Sequence, residues 1–481
     1  MGSVSLSLRW LRSRCTDVRS VAVGAVPSGL ADRLTLNPAF ILLILASIAS
    51  SAFSGSAFTL DEAIEYALEH NPDLLRTREQ VNGAKGMVME ARSGFLPHFE
   101  LGASYTRQFE LPTLTIAGAD GPAVEVPLGY ENNYSAGISV TQSLWSWGRV
   151  LNAYRIADLG LDAVRYDVEE MESAVRYEVA RAFYGLIVAH EFEKVARDAL
   201  GQAERHFGVV ETREREGLAS RFDLLRAQVQ VANAKPPVIR AANAVDLAEQ
   251  QLKLVLGIDL ATQIEVQGEL VVGPAEVDLV EAIEQALAMR PALESLRRRR
   301  SIAARALSIA QAQNKPTFFA SAAYVYQRPF YFSEDWGRDI RATVGVTIPI
   351  FDGFRTRGAV ARAKSSLRDL ELSLTVLEDG VELEVRTAYL RLMEAQETLA
   401  SQQETVGQAE ESLRIAEVRF RNGMATSLEV MDTQLALTQA RTNYLGAVSD
   451  FLIARASLVR AVGRDMWGSE GIGEGAVGED S

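Results

Sequence analysis

The sequence is poor in the residues that carry most protein chemistry: one cysteine, Cys15, and four histidines in 481 residues. A single cysteine excludes an internal disulfide framework and any cysteine-ligated zinc or iron–sulfur centre. The histidines are scattered. His190 and His206 stand too far apart to read as a metal pair and are expected on packed or solvated helix faces. Positive charge is also short, with 49 Lys and Arg against 63 Asp and Glu, a net charge of −14. Phosphate binding needs clustered cations on a basic surface, so this balance argues against nucleic acid. The one basic run, Arg297-Arg298-Arg299-Arg300, reads as a solvated or salt-bridged helix face. There is no convincing P-loop, GxGxxG or nucleophile motif. These absences point away from an enzyme, a resident metal and a cofactor.

What is present begins with an apolar run, Ala39 to Phe53, without a charge. Its 15 residues fall short of the roughly 20 that a spanning helix needs. Arginines precede it (Arg9, Arg12, Arg14, Arg19, Arg33) and small residues follow (Ser54, Gly55, Ser56, Ala57). That layout predicts a secretory leader over 1–57, cleaved after Ala57 or Ala52; a buried core helix is the alternative. Five arginines and two aspartates leave with it, taking the charge from −14 to −17 and removing Cys15.

The rest of the chain is written twice. Leu60-Asp61-Glu62-Ala63-Ile64 returns as Leu279-Val280-Glu281-Ala282-Ile283, and the same shift of 219 carries Pro72 onto Pro291, Pro97 onto Pro316 and Tyr105 onto Tyr324. After a loop the shift is 205 (Trp147-Gly148 onto Asp352-Gly353), then 206 (Gly217 onto Gly423, Gly257 onto Gly463). The landmarks divide the chain into a first repeat over 58–257, a linker over 258–278, a second repeat over 279–465 and a disordered Gly/Glu-rich tail over 466–481. Each repeat reads as helix, strand, loop, strand, long helix, helix. Thr59 with Glu62 three residues on is a capping box opening the first helix.

The strand segments alternate strictly. Phe99, Leu101, Ala103 and Tyr105 oppose His98, Glu100, Gly102, Ser104 and Thr106, and Tyr134, Ala136, Ile138 and Val140 oppose Asn133, Ser135, Gly137 and Ser139. Phe318, Ala320, Ala322 and Tyr324, then Ile340, Ala342, Val344 and Val346, repeat the pattern. Strands of about ten residues fit a transmembrane β-barrel wall better than a soluble sandwich, whose strands average about five or six. Four strands cannot close a barrel, because about eight is the practical minimum. An open edge in hydrocarbon leaves backbone groups unsatisfied. Several chains must therefore share one barrel. Trp145, Trp147, Tyr105 and Trp336 are candidates for an aromatic girdle, or for ordinary packing.

No proline interrupts Arg149 to Glu216 or Phe354 to Asn422, 68 and 69 residues. At about 1.5 Å per residue each run extends roughly 100 Å as a helix. Each ends at a glycine (Gly217, Gly423) before a shorter antiparallel partner, and Pro236-Pro237 predicts a kink or break in the first partner.

An exported duplication of this layout resembles the TolC-like outer membrane efflux proteins. The carriers are Leu60-Asp61-Glu62-Ala63-Ile64, Asn71-Pro72-Asp73-Leu74 and the glycine turns after each long helix, over about residues 58–465. The resemblance implies an α+β membrane protein: a homotrimer in outer-membrane lipid whose chains supply four strands each to a 12-stranded barrel. Below the barrel it implies a long periplasmic α-helical barrel. It implies a passive exit duct for efflux or secretion, working with a periplasmic adaptor and an inner-membrane pump. A type I protein-secretion duct of the same fold and an exported coiled-coil surface protein are the rival readings.

The resemblance also implies a site. The turn Gly423-Met424-Ala425-Thr426-Ser427-Leu428-Glu429-Val430-Met431-Asp432 is similar to the family's periplasmic entrance, where Glu429 and Asp432 match two pore-facing acids. Positions i and i+3 share a helix face. An acidic helix start stabilised by the dipole is the alternative. Asp223 matches an aspartate of the closed entrance, whose partners in the family are a tyrosine and an arginine; here Phe420 and Ala425 stand in their places. Arg221 and Arg421 are the candidates for a different latch. The exposed pairs Gly217-Leu218 and Gly423-Met424 are candidate adaptor docking tips, or simple C-terminal caps.

Overall fold

The computed structural model describes residues 58–116, 124–273, 275–331 and 333–463. The expected leader over 1–57 and the tail over 466–481 lie outside the described residues. Thr59 opens helix α1 (Leu60–His70). The Glu62 amide donates to its hydroxyl, and its own amide donates to the Glu62 carboxylate at 2.9 Å, the box expected from the sequence. Asn71 caps α2 (Pro72–Ser93), its Oδ1 accepting from the Asp73 and Leu74 amides at 3.0 Å. Pro72 occupies the first helical position, where its missing N–H is not needed. Strand β1 (His98–Arg107), a ribbon of β2 (Thr113–Ile116) and β3 (Val124–Pro127), strand β4 (Asn132–Trp145), and helices α3 (Arg149–Arg215) and α4 (Arg221–Leu256) complete the first half. The second half runs α5 (Leu279–Met289), α6 (Pro291–Gln311), β5 (Thr317–Arg328), β6 (Gly337–Thr347), α7 (Arg355–Arg421) and α8 (Ser427–Val462). The order is the same in both halves except for the β2–β3 ribbon, which occupies the longer loop of the first.

Four strands form one antiparallel sheet in the order β1-β4-β5-β6. β1 meets β4 from His98↔Thr141 to Arg107↔Asn132, and the halves join where Ile138 of β4 faces Tyr324 of β5. β1 and β6 are left as edges. The apolar residues of the alternation stay uncovered: Leu101 is 84% exposed and Ile340 73%. An apolar surface of this extent is the outer face of a barrel wall, not the covered face of a sandwich. Aromatic groups mark both ends of the sheet. At one end Tyr105 stacks on Tyr134 (centroids 4.9 Å apart) and Trp336 on Tyr326 (5.0 Å). At the other Trp145 meets Trp147 edge-on at 6.2 Å, and the Trp147 indole N–H donates to the Pro316 carbonyl at 2.7 Å.

Helices α3 and α7 run for 67 residues each, and α4 and α8 return along them for 36. Among the described residues no helix is long and apolar enough to cross a membrane. Their apolar stripes meet in separate cores. One gathers Leu74, Val179, Phe183, Leu252 and Leu256; a second gathers Leu293, Val385, Leu392, Phe451 and Leu458; a third lies at the far tips.

At Pro236-Pro237, where a kink or break is expected, α4 is not broken: it continues as helix through both. Each proline frees a carbonyl one turn earlier, on Ala232 and Asn233, and both of those residues are exposed, so water satisfies what the prolines cannot. The arginine run is fully engaged. Arg297 pairs with Glu294 at 2.8 Å and Glu378 at 3.5 Å, Arg298 with Glu294 at 3.6 Å, Arg299 with Asp167 at 2.6 Å and Arg300 with Glu371 at 3.2 Å. It is a salt-bridged face that ties α6 to α3 and α7.

Candidate functional site

The two turns far from the sheet are built alike. Gly217 and Gly423 take left-handed φ values of 75° and 73°, a conformation glycine adopts without strain. The reversal lets the Leu218 amide donate to the Arg213 carbonyl and the Met424 amide to the Arg419 carbonyl, both at 2.8 Å, closing the ends of α3 and α7. Leu218 and Met424 are left 72% and 62% exposed at the tips.

The next helices start with matching boxes. The Ser220 hydroxyl donates to Asp223 Oδ2 at 2.5 Å, and the Asp223 amide donates to the Ser220 hydroxyl at 3.1 Å. Thr426 does the same with Glu429: its amide and hydroxyl each donate to Glu429 Oε1 at 3.1 Å. These bonds, the backbone one first, hold the Glu429 carboxyl below its ordinary pKa, so it is charged at neutral pH. Glu429 thus has the helix-start role that is its alternative reading in the sequence, and Asp223 has the same role at the other turn. Glu429 remains exposed and Asp223 half-buried. Asp432 is exposed one turn further along the Glu429 face and makes no hydrogen bond or ion pair among the described residues. Glu429 and Asp432 therefore face solvent.

Phe420 and Ala425 lie in the third core, with Val210, Leu224, Ala227, Leu413, Ala416, Val430 and Leu437. Arg221 reaches only Glu214, at 3.9 Å, on its own hairpin. The Arg421 side chain turns back to the Glu417 carbonyl at 3.4 Å. Neither side chain is brought to Asp223 or Glu429. The contacts that do join the two hairpins rest on Arg213, Arg441 and His206, none of them assigned to the entrance in the sequence, where His206 is expected only on a packed or solvated helix face. The Arg213 guanidinium sits 4.4 Å from the centre of the Phe420 ring and donates to the Arg421 carbonyl at 2.8 Å. His206 Nε2 lies 2.8 Å from the Ser427 hydroxyl, with both residues buried. Burial pushes the His206 pKa below its ordinary value, so the ring is neutral. Arg441 of α8 adds Glu410 at 2.7 Å and, across to α3, Asp198 at 3.7 Å. A signal for Arg213 exists in the repeat, since the 206-residue shift pairs it with Arg419, and each closes its own turn.

Among the described residues no group of three His, Cys, Asp or Glu side chains is placed to hold a metal. The architecture is thus a membrane-type sheet carrying two long helical hairpins whose far ends present acids and apolar tips.

Comparison with known proteins gives the same architecture a family. Protein CyaE of Bordetella pertussis (strain Tohama I) is 26% identical over 410 residues, covering 84% of this chain and 83% of its own. The cobalt-zinc-cadmium resistance protein CzcC of Cupriavidus metallidurans is 24% identical, covering 84% and 90%. The crystal structure of the outer membrane protein VceC of Vibrio cholerae matches 84% of this chain and 96% of its own with a TM-score of 0.70 at 20% identity. The family described as outer membrane efflux protein matches residues 63–258 and 282–464, and the chain belongs to that family.

Proposed function

We propose that three copies of this outer-membrane channel protein assemble into one passive exit duct, and that the hairpin tips form its periplasmic entrance. The observation that carries the reading is the open four-stranded sheet, with two unpaired edges and an apolar face exposed. Three times four strands gives a twelve-stranded wall, above the closure minimum of about eight, and joining β6 of one copy to β1 of the next leaves no edge in the lipid. The helices then extend below the barrel as a tunnel. At its end Glu429 and Asp432 from three copies form a ring of six carboxylates, which favours cations over anions. Asp223 stands on the neighbouring helix start. The pairs Gly217-Leu218 and Gly423-Met424 present the apolar tips that a periplasmic adaptor docks on, and an inner-membrane pump supplies the energy. The repeat boundaries at 58–257 and 279–465 belong to the same reading, each half supplying two strands and one hairpin.

The relatives' names leave more than one cargo class open, and the acidic entrance favours small cations or cationic solutes over an anionic load. The test is reconstitution. Protein extracted from outer membranes should run as a heat-dissociable trimer and give discrete, cation-selective steps in planar bilayers. A monomer without conductance returns the chain to the coiled-coil surface reading.

A further inference from the structure

The β2–β3 ribbon has no counterpart in the second half, and nothing in the entrance or the barrel wall requires it. It continues β1 and β4 past the end of the sheet: Gln108 donates its amide to the Glu131 carbonyl at 2.8 Å, and Leu128 to the Pro112 carbonyl at 2.7 Å. Leu114 pairs with Val126, and two residues on Ile116 pairs with Val124 in the register. Leu114, Ile116 and Val126 therefore share one face, and all three are exposed, Ile116 by 53%. Thr113, Thr115 and Glu125 hold the other face. A two-stranded ribbon is marginal on its own. Among the described residues the ribbon packs on no other strand or helix to any extent.

We infer that the ribbon is an intersubunit clasp, its apolar face seated on the rim of the next copy of this chain, at the turn between β5 and β6. The inference rests on the trimeric reading and adds to it a contact above the wall. Two observations select that occupant. The ribbon rises from β1, the edge strand of the sheet, so it stands on the seam where a second copy must pair. The neighbouring edge is β6, and the turn leading into it carries Tyr331 and Trp336, both exposed. Lipid tails are the less suitable cover. The ten residues of β1 already span the apolar band of a bilayer, for which about 9–11 residues suffice, so the ribbon stands beyond it.

The test uses the full chain with Cys15→Ser as background, Cys15 being the sequence's one cysteine. Ile116→Cys and Tyr331→Cys are introduced together and the purified trimer is treated with a short bismaleimide. Covalent dimers and trimers on a denaturing gel, absent from either single-cysteine chain, are expected. Leu114→Asp with Ile116→Asp, made in the chain carrying the native Cys15, should lower the temperature at which the trimer dissociates while leaving the single-channel step in place. An intact trimer with no adducts and an unchanged dissociation temperature overturns the clasp. Quenching of an Ile116→Trp variant by brominated lipid beyond that of the parent chain's own tryptophans also overturns it, in favour of the membrane. Failure of the parent chain to form any trimer is a different result: it removes the trimeric reading itself.

Discussion

At the scale of single residues, the tips are held by contacts that polar matching alone does not reveal. Arg213 is half-buried, spans from α3 to the Phe420 ring and the Arg421 carbonyl, and has no substitute among its neighbours. A partly desolvated cation–π contact contributes about 1 kcal/mol, and a hydrogen bond from a charged group about as much again. Arg213→Ala should therefore raise amide-exchange rates in the tip segments 206–227 and 413–437 by about thirtyfold, a change equivalent to about 2 kcal/mol. Arg221→Ala and Arg421→Ala should stay within about 0.5 kcal/mol of the parent, because their side chains reach only their own hairpins. His206 gives the tips a pH dependence. Burial lowers its folded pKa, so an opened tip takes up a proton before a closed one does. The stabilisation by neutral His206 is complete above its unfolded value of about 6.5 and is lost as pH falls below it. Protection factors at the tips, taken after correction for the base-catalysed intrinsic exchange rate, should fall from pH 7.5 to pH 5, and His206→Gln, which can still bond Ser427, should flatten that slope.

At the scale of elements, the strands and long helices were legible because each has one dominant period over many residues. Phe99-Leu101-Ala103-Tyr105 alternates without interruption, and nothing but an extended strand puts those side chains on one face. The helix ends at Gly217 and Gly423 were legible for an equally local reason, the left-handed turn. The β2–β3 ribbon was not: its strands have four residues each, beside Pro112 and Pro127, too short for a period to register. The hairpin ties were hidden for the opposite reason. His206–Ser427 joins residues 221 apart, and Arg213–Arg421 residues 208 apart, with no local pattern linking them. At Pro236-Pro237 the local rule leaves a kink or a break open, and packing along α3 keeps α4 from breaking. An interior proline costs a helix about 3 kcal/mol. Pro236→Ala with Pro237→Ala should therefore raise the thermal dissociation midpoint and the helical circular-dichroism signal. An unchanged midpoint would mean that the tertiary frame already compensates the missing bonds.

At the scale of the whole molecule, the shortage of positive charge that opens the sequence acquires a place. Much of the acid is paired along the helices, as Glu294, Glu371 and Asp167 are with the arginine run. Glu429 and Asp432 are different: they are exposed, on one helix face, at the open end of a hairpin. The bonds from Thr426 hold the Glu429 carboxyl below its ordinary pKa, so in the proposed trimer the ring would keep that charge in mild acid. Repeated threefold, these charges act on ions within about one Debye length, ~10 Å at 0.1 M salt. Glu429→Gln isolates the electrostatic part, because glutamine at the third helical position still accepts from Thr426 and preserves the box. Combined with Asp432→Asn it should reduce the potassium-over-chloride permeability ratio several-fold at 0.1 M salt and much less at 1 M, where the Debye length is about 3 Å. Trimer stability should not move. A ratio unaffected by the double substitution at low salt would locate the selective constriction elsewhere along the tunnel and leave the two acids as parts of a helix start.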